Sequence, residues 1–116
     1  MSIEDEFVIY LEGILQSVGP VRTKRMFGGC GLFLDGLMFA LIADNTLYFK
    51  VDDENRPDFE NLGLEAFTYE KKGKPFKLSY YQCPEEALEN QDMITEWGNK
   101  AYATALRAAA KKGKRT

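Results

Sequence analysis

Apolar residues recur at three- and four-residue steps through the start of the chain, and then the period drops to two. Ile3, Phe7, Tyr10, Leu11, Ile14, Leu15 and Val18 fall on one stripe, which predicts an amphipathic helix. Ser2 is placed to cap it, and Glu4, Asp5 and Glu6 sit by its positive N-terminal end. Gly19-Pro20 stops it. Short extended segments follow. Val21 to Phe27 is the first, Gly28-Gly29-Cys30-Gly31 reads as a turn, and Leu32 to Leu34 begins the next strand. Asp35-Gly36 between apolar flanks is a two-residue hairpin signal, and Leu37 to Ala43 runs on from it. Asp44-Asn45 turns the chain into Thr46 to Val51, where Leu47, Phe49 and Val51 alternate with wetter neighbours.

Asp52-Asp53-Glu54 opens a short helix carrying Arg56, Pro57, Phe59 and Leu62, with Gly63 as its C-cap. Ala66 to Lys71 and Pro75 to Gln82 form a second hairpin around a Lys72-Gly73-Lys74 loop. Pro84 ends it before a helical turn. A last long helix starts near Gln91 or Asp92, with Met93, Ile94, Trp97, Ala101, Ala105 and Ala108 on one stripe, and frays at Gly113. Strands and helices segregated in this way indicate an α+β fold of two layers, an antiparallel sheet of about five strands covered by the N- and C-terminal helices. The domain spans residues 3–110 and a basic tail residues 111–116.

Leu37 to Ala43 poses a covering problem. Simple alternation places Leu37, Phe39, Leu41 and Ala43 on one face and Met38, Ala40 and Ile42 on the other, and both sets are apolar. The two long helices suffice for one face. Met38, Ala40 and Ile42, with Tyr48 and Tyr81 beside them, are therefore expected to form an uncovered patch, and self-association into a homodimer is the commonest way to close one.

Composition narrows the class. The chain has 116 residues, enough for one domain with its own core, and 45% apolar with 28% charged residues describes a globular protein. The acidic start MSIEDEF is unlike a signal peptide and no apolar run approaches a bilayer span, so a cytoplasmic location without membrane contact is expected. Net charge is −3; Lys111, Lys112, Lys114 and Arg115 carry +4 of it, which leaves −7 on the body. An acidic body speaks against a broad nucleic-acid face, so nucleic-acid binding is expected to be weak or absent.

Candidate chemistry is sparse. There is no histidine, the commonest general base and the usual activator of a nucleophilic cysteine. Cys30, with Arg25 near it in sequence, and Cys83 read as packed, reduced thiols. The glycine cluster at 28–31 matches neither the dinucleotide fingerprint nor the P-loop, and Asp52-Asp53-Glu54 lacks calcium-loop spacing. No cofactor, metal or catalytic residue is expected. The basic hairpin residues Lys71, Lys72, Lys74 and Lys77, and the tail residues Lys111, Lys112, Lys114 and Arg115, are either solvated ends or, with Arg25, interaction or phosphate contacts.

Five stretches together carry a family resemblance: Arg25 to Phe33 (RMFGGCGLF), Asp35 to Asp44 (DGLMFALIAD), Leu47 to Asp52 (LYFKVD), Phe67 to Glu70 (FTYE), and Tyr80 to Pro84 (YYQCP) followed by a helix with Trp97. Jointly they resemble the N-terminal domain of the TfoX (Sxy) competence regulators, over about residues 3–110. Cys30 stands where that pattern has an aromatic residue, and Cys83 where it has a small aliphatic one. The resemblance implies a secretion-chaperone-like α+β fold, which often pairs, and no catalytic residues. Longer members act with the transcription machinery on competence genes and carry a second, helical domain. This chain stops before one and is expected to be a stand-alone member. The leading expectation is a regulatory module contacting a protein of transcription control; weak nucleic-acid binding and an uncharacterised enzyme are the alternatives.

Overall fold

The computed structural model describes residues 3–26 and 29–113. Helix α1 (Ile3–Ile14) runs into a 3-10 turn at Leu15–Ser17; the expected cap, Ser2, lies outside the described residues. Strands β1 (Arg22–Met26), β2 (Gly29–Leu34), β3 (Leu37–Ala43) and β4 (Thr46–Lys50) follow. After them come α2 (Arg56–Glu60), β5 (Ala66–Lys71), β6 (Lys74–Gln82), a 3-10 turn at Glu85–Glu89 and α3 (Gln91–Gly113). The strands form one antiparallel sheet in the order β1-β2-β3-β4-β6-β5, six strands rather than about five.

Among the described residues, three two-residue turns join neighbouring strands. Asp35-Gly36, Asp44-Asn45 and Lys72-Gly73 all have positive φ at both positions, the conformation whose twist matches a right-handed hairpin. The last of these turns is one residue shorter than the sequence implies, because Lys74 already pairs with Lys71. The expected turn at 28–31 is also corrected. Met26 pairs with Gly29, so Cys30 and Gly31 are strand residues, and Phe27 and Gly28 lie outside the described residues. Gly29 is required there, since a Cβ would lie 2.1 Å from the Ile42 carbonyl oxygen of the adjoining strand.

Every helix described lies on one face of the sheet. Their apolar residues, among them Leu11, Leu15, Phe59, Ala87, Ile94 and Ala101, share a core with Leu32, Leu34, Phe39, Ala40, Ile42 and Phe49. Trp97 closes on Phe59 edge to face at 4.8 Å. Gln91, in the first turn of α3, donates Nε2 to the Ile14 carbonyl at 2.7 Å, which ties the two long helices together. Arg107 grips Asp52 with two charge-assisted bonds, Nε to Oδ2 at 2.7 Å and Nη2 to Oδ1 at 3.0 Å, and so ties α3 to the segment after β4.

The alternation expected along β3 is broken by a β-bulge. Leu32 pairs with Ala40 but Phe33 pairs with Met38, so Phe39 is an extra residue. Leu37, Phe39, Ala40 and Ile42 all point to the helices, while Met38, Leu41 and Ala43 point the other way. Ala40 and Ile42 are fully buried under the helical layer, and of the expected patch on β3 and β4 only Met38 and Tyr48 remain on the far face. Tyr81 also moves to the helix side, its ring 5.9 Å from that of Phe59.

Candidate interaction surface

The far face has its own small apolar cluster, drawn from strands alone. Leu41, Phe67 and Tyr80 are buried at its centre, with Met38, Ala43, Tyr48, Tyr69 and Leu78 half-buried around them. The sheet curls to achieve this. Tyr48 on β4 and Phe67 on β5 are separated by β6, which places flat strands about 10 Å apart, yet their ring centroids lie at 5.0 Å. A register shift between Ala66 and Thr68, where two steps on β5 span four on β6, supplies the curl.

The result is a row of touching aromatic rings. Phe67 stacks on Tyr69 at 6.2 Å and 20°, and Tyr69 meets Phe76 at 5.9 Å. Phe76 ends the row 45% exposed, at the foot of the β5–β6 turn. Lys50 lies over the Tyr80 ring at 5.2 Å. Burial lowers the Lys50 ammonium from its ordinary value and the nearby Lys112 lowers it further, against a smaller opposite effect of Asp52. Burial pushes the Tyr80 phenol up to about 12. On the other flank, cross-strand pairing of Arg22 with Phe33 and Lys24 with Gly31 places both cations on this same face. A Cβ on Gly31 would meet the side chains of Phe33, Met38 and Met26, which fixes that face as the one holding Met38.

The basic residues singled out in the sequence are split by the fold. Lys74 shares the parity of Phe76 and so the open face, and Lys72 sits in the turn beyond it. Lys71 closes β5, its side chain outside the described set, and Lys77 takes the opposite parity, lining a groove with Glu60 and Glu65. Lys111 and Lys112 end α3 in solvent, and Lys114 and Arg115 lie outside the described residues. Arg25 is on the helix side, where it binds Asp5 at 2.7 Å. Of this surface the sequence points to Met38, Tyr48 and Lys74, and not to Arg22, Lys24, Lys50 or the joining of Tyr48 to Phe67, Tyr69 and Phe76. Their common signal is cross-strand register, which a linear sequence does not display.

The other candidates resolve into structure. Cys30 borders a cavity of about 330 Å³ between α1 and the β1–β2 pair, lined by Asp5, Val8, Ile9, Thr23 and Arg25. Burial raises its thiol above the ordinary value, outweighing the lowering by Thr23, Lys24 and Arg25. Cys83 is 4% exposed and burial pushes its thiol up to about 12. Both thiols are free. The carboxylates of Asp52, Asp53 and Glu54 are taken up by arginines: Asp52 and Glu54 meet on Arg107, and Asp53 turns away to bind Arg56 at 2.6 Å. Asp52 also accepts the Glu54 and Asn55 N–H groups ahead of α2, and Arg107 with these bonds holds its carboxyl down at about 2. Among the described residues no group of three Cys, Asp or Glu side chains is placed to hold a metal ion, and no helix is long and apolar enough to cross a membrane.

Known proteins share this pattern. The chain is 35% identical to the DNA transformation protein TfoX1 of Aliivibrio fischeri, over 80% of this chain and 51% of the relative. It is 34% identical to the DNA transformation protein TfoX of Haemophilus influenzae, over 78% and 43%, and 25% identical to protein Sxy of Escherichia coli, over 80% and 44%. The chain thus spans about half the length of the curated relatives it matches. Residues 13–105 match the TfoX N-terminal domain, a stretch that holds all six strands, α2 and most of α3, and the chain belongs to that family.

Proposed function

We propose that this chain is a cytoplasmic, non-catalytic regulatory module in the control of DNA transformation, and that it works by binding through its open sheet face. The observation that carries this reading is the asymmetry of the sheet. One face is sealed by every helix described, while the other presents Met38, Tyr48, Tyr69 and a 45%-exposed Phe76 to solvent. The relatives' names support the process: two are DNA transformation proteins. The raised thiols of Cys30 and Cys83, together with the absence of histidine from the sequence, support binding rather than turnover.

Gene deletion in the host of origin tests it. Loss of the chain should change transformation frequency or the expression of the genes that support it, and the full chain should restore the wild-type level. Met38→Asp and Phe76→Asp, shown to fold by circular dichroism, should restore little. Full complementation by both variants would remove the open face from the mechanism. Robust turnover of any substrate, abolished by one substitution, would overturn the non-catalytic reading.

A further inference from the structure

We propose that the open face binds single-stranded nucleic acid, with bases on the aromatic row and phosphates on Arg22, Lys24 and Lys50. This rests on the open face being the working surface, as argued above, and names its occupant.

Three observations converge. The first is the row itself. Tyr48, Phe67, Tyr69 and Phe76 lie ring against ring from the middle of the sheet to its β5–β6 tip, at centroid spacings of 5.0, 6.2 and 5.9 Å. Phe67 is the buried link of the row, so Tyr48, Tyr69 and Phe76 are the rings that reach solvent, and such rings are sequence-tolerant, because every base has a π-face to stack. The second is charge segregation. The chain is acidic at −3 with 18 carboxylates, yet no strand residue sharing this face is Asp or Glu. Arg22, Lys24, Lys50 and Lys74 do share it, and Asp44 and Glu65 lie only at its far rim, near Tyr48. An acidic protein with cations on its one open face is complementary to a polyanion.

The third observation is the mixture. A second copy of this chain, turned face to face, would set cations against a face whose nearest carboxylates, Asp44, Glu65 and Asp52, lie at its edges, and like-charge juxtaposition is costly. An apolar protein partner would cover the Leu41 cluster but leave Arg22 and Lys24 desolvated without partners. A duplex keeps its bases stacked inside and offers the row nothing but backbone. A strand with splayed bases satisfies rings and cations together.

The test uses the full chain and fluorescence anisotropy with labelled oligo(dT), labelled oligo(U), and a duplex of the same length. Both single strands should bind in the micromolar range and the duplex more weakly. Three or four neutralised phosphates should give a slope of log affinity against log salt of about −2 to −3. Phe76→Ala should weaken binding about ten-fold, and Lys24→Glu should weaken it and flatten the slope. Ile9→Ser, at a 57%-exposed position on α1, should leave binding unchanged. Stronger binding of one single strand names the preferred nucleic acid and supports the proposal. Duplex binding as tight as single-strand binding overturns it, as does binding that survives both face variants and disappears only on deletion of residues 111–116. It is also overturned by absence of binding to any probe. In that case, sedimentation showing a dimer that Met38→Asp dissociates would give the face to a second copy and leave the regulatory reading standing.

Discussion

The β3 bulge makes a sharp prediction about two residues four positions apart. Simple alternation puts Met38 and Ile42 on one face, whereas the extra residue at Phe39 puts them on opposite faces. Ile42 has no exposed surface and belongs to the core under α1 and α3. Truncating a fully buried Ile to Ala costs about 2–5 kcal/mol, with the upper part of that range expected where the walls are rigid strands. Met38 is half-buried against the Leu41 cluster, so Met38→Ala forfeits about half of a methionine's transfer energy, on the order of 1 kcal/mol. With a urea m-value of about 1.5 kcal/mol/M for a domain of this size, the Ile42→Ala midpoint should fall by roughly 1.5–3 M and the Met38→Ala midpoint by less than about 1 M. The aspartate pair widens the gap. Ile42→Asp adds a carboxylate without a partner under the helices, several kcal/mol more, against a total stability of about 5–15 kcal/mol, so it should be unfolded or molten. Met38→Asp keeps its charge in water and should unfold cooperatively. Urea unfolding followed by far-UV circular dichroism reads all four variants. Equal losses for the two alanine variants, or a folded Ile42→Asp beside an unfolded Met38→Asp, would refute the bulge assignment and with it the composition of the open face.

Three further outcomes follow from the same geometry. Gly29→Ala drives a Cβ to 2.1 Å from a backbone oxygen and should cost about 3 kcal/mol, whereas Gly31→Ala meets only the movable ends of Phe33, Met38 and Met26 and should cost about 1 kcal/mol; equal urea midpoints would contradict this. Asp52, held at about 2 in the fold against an ordinary 3.8, contributes stability that is present above about pH 4 and lost as pH falls toward 2. With Asp52 26% and Arg107 33% exposed, solvent screening leaves about 1 kcal/mol, so the melting-temperature gap between wild type and Arg107→Met should close near pH 2, and a gap unchanged from pH 6 to pH 2 would refute the clamp. Cys30 and Cys83, 5% and 4% exposed with raised thiols, should react with Ellman's reagent only at the rate of unfolding, and fast labelling of the native protein at either site would show an open path.

The layout of elements was legible because it is written locally. The three- and four-residue steps from Phe7 to Val18, the Asp35-Gly36 and Asp44-Asn45 pairs, Gly63 after α2 and the Met93–Ala105 stripe each act within a few residues of themselves. Segregation of strands from helices then led to α+β, which the six-stranded sheet confirms. The surface was not legible, because it depends on phase and register. A β-bulge adds one residue that no local propensity announces, and everything on one side of it changes face: Ala40 and Ile42 went under the helices and Leu41 came out. Tyr48, Phe67, Tyr69 and Phe76 are spread over 29 positions of sequence and become neighbours only through the curl of β5 and β6. Charge misled for the same reason. The clusters visible in the sequence lie at the hairpin tip and the tail, whereas Arg22, Lys24 and Lys50 stand singly and gather on one face only when β1 to β4 are paired in order. A net charge of −3 describes the whole chain, whereas a ligand meets one face. The sorting of cations to the side the helices leave open is therefore a property of the pairing pattern, and strand register, rather than composition, decides what this domain can hold.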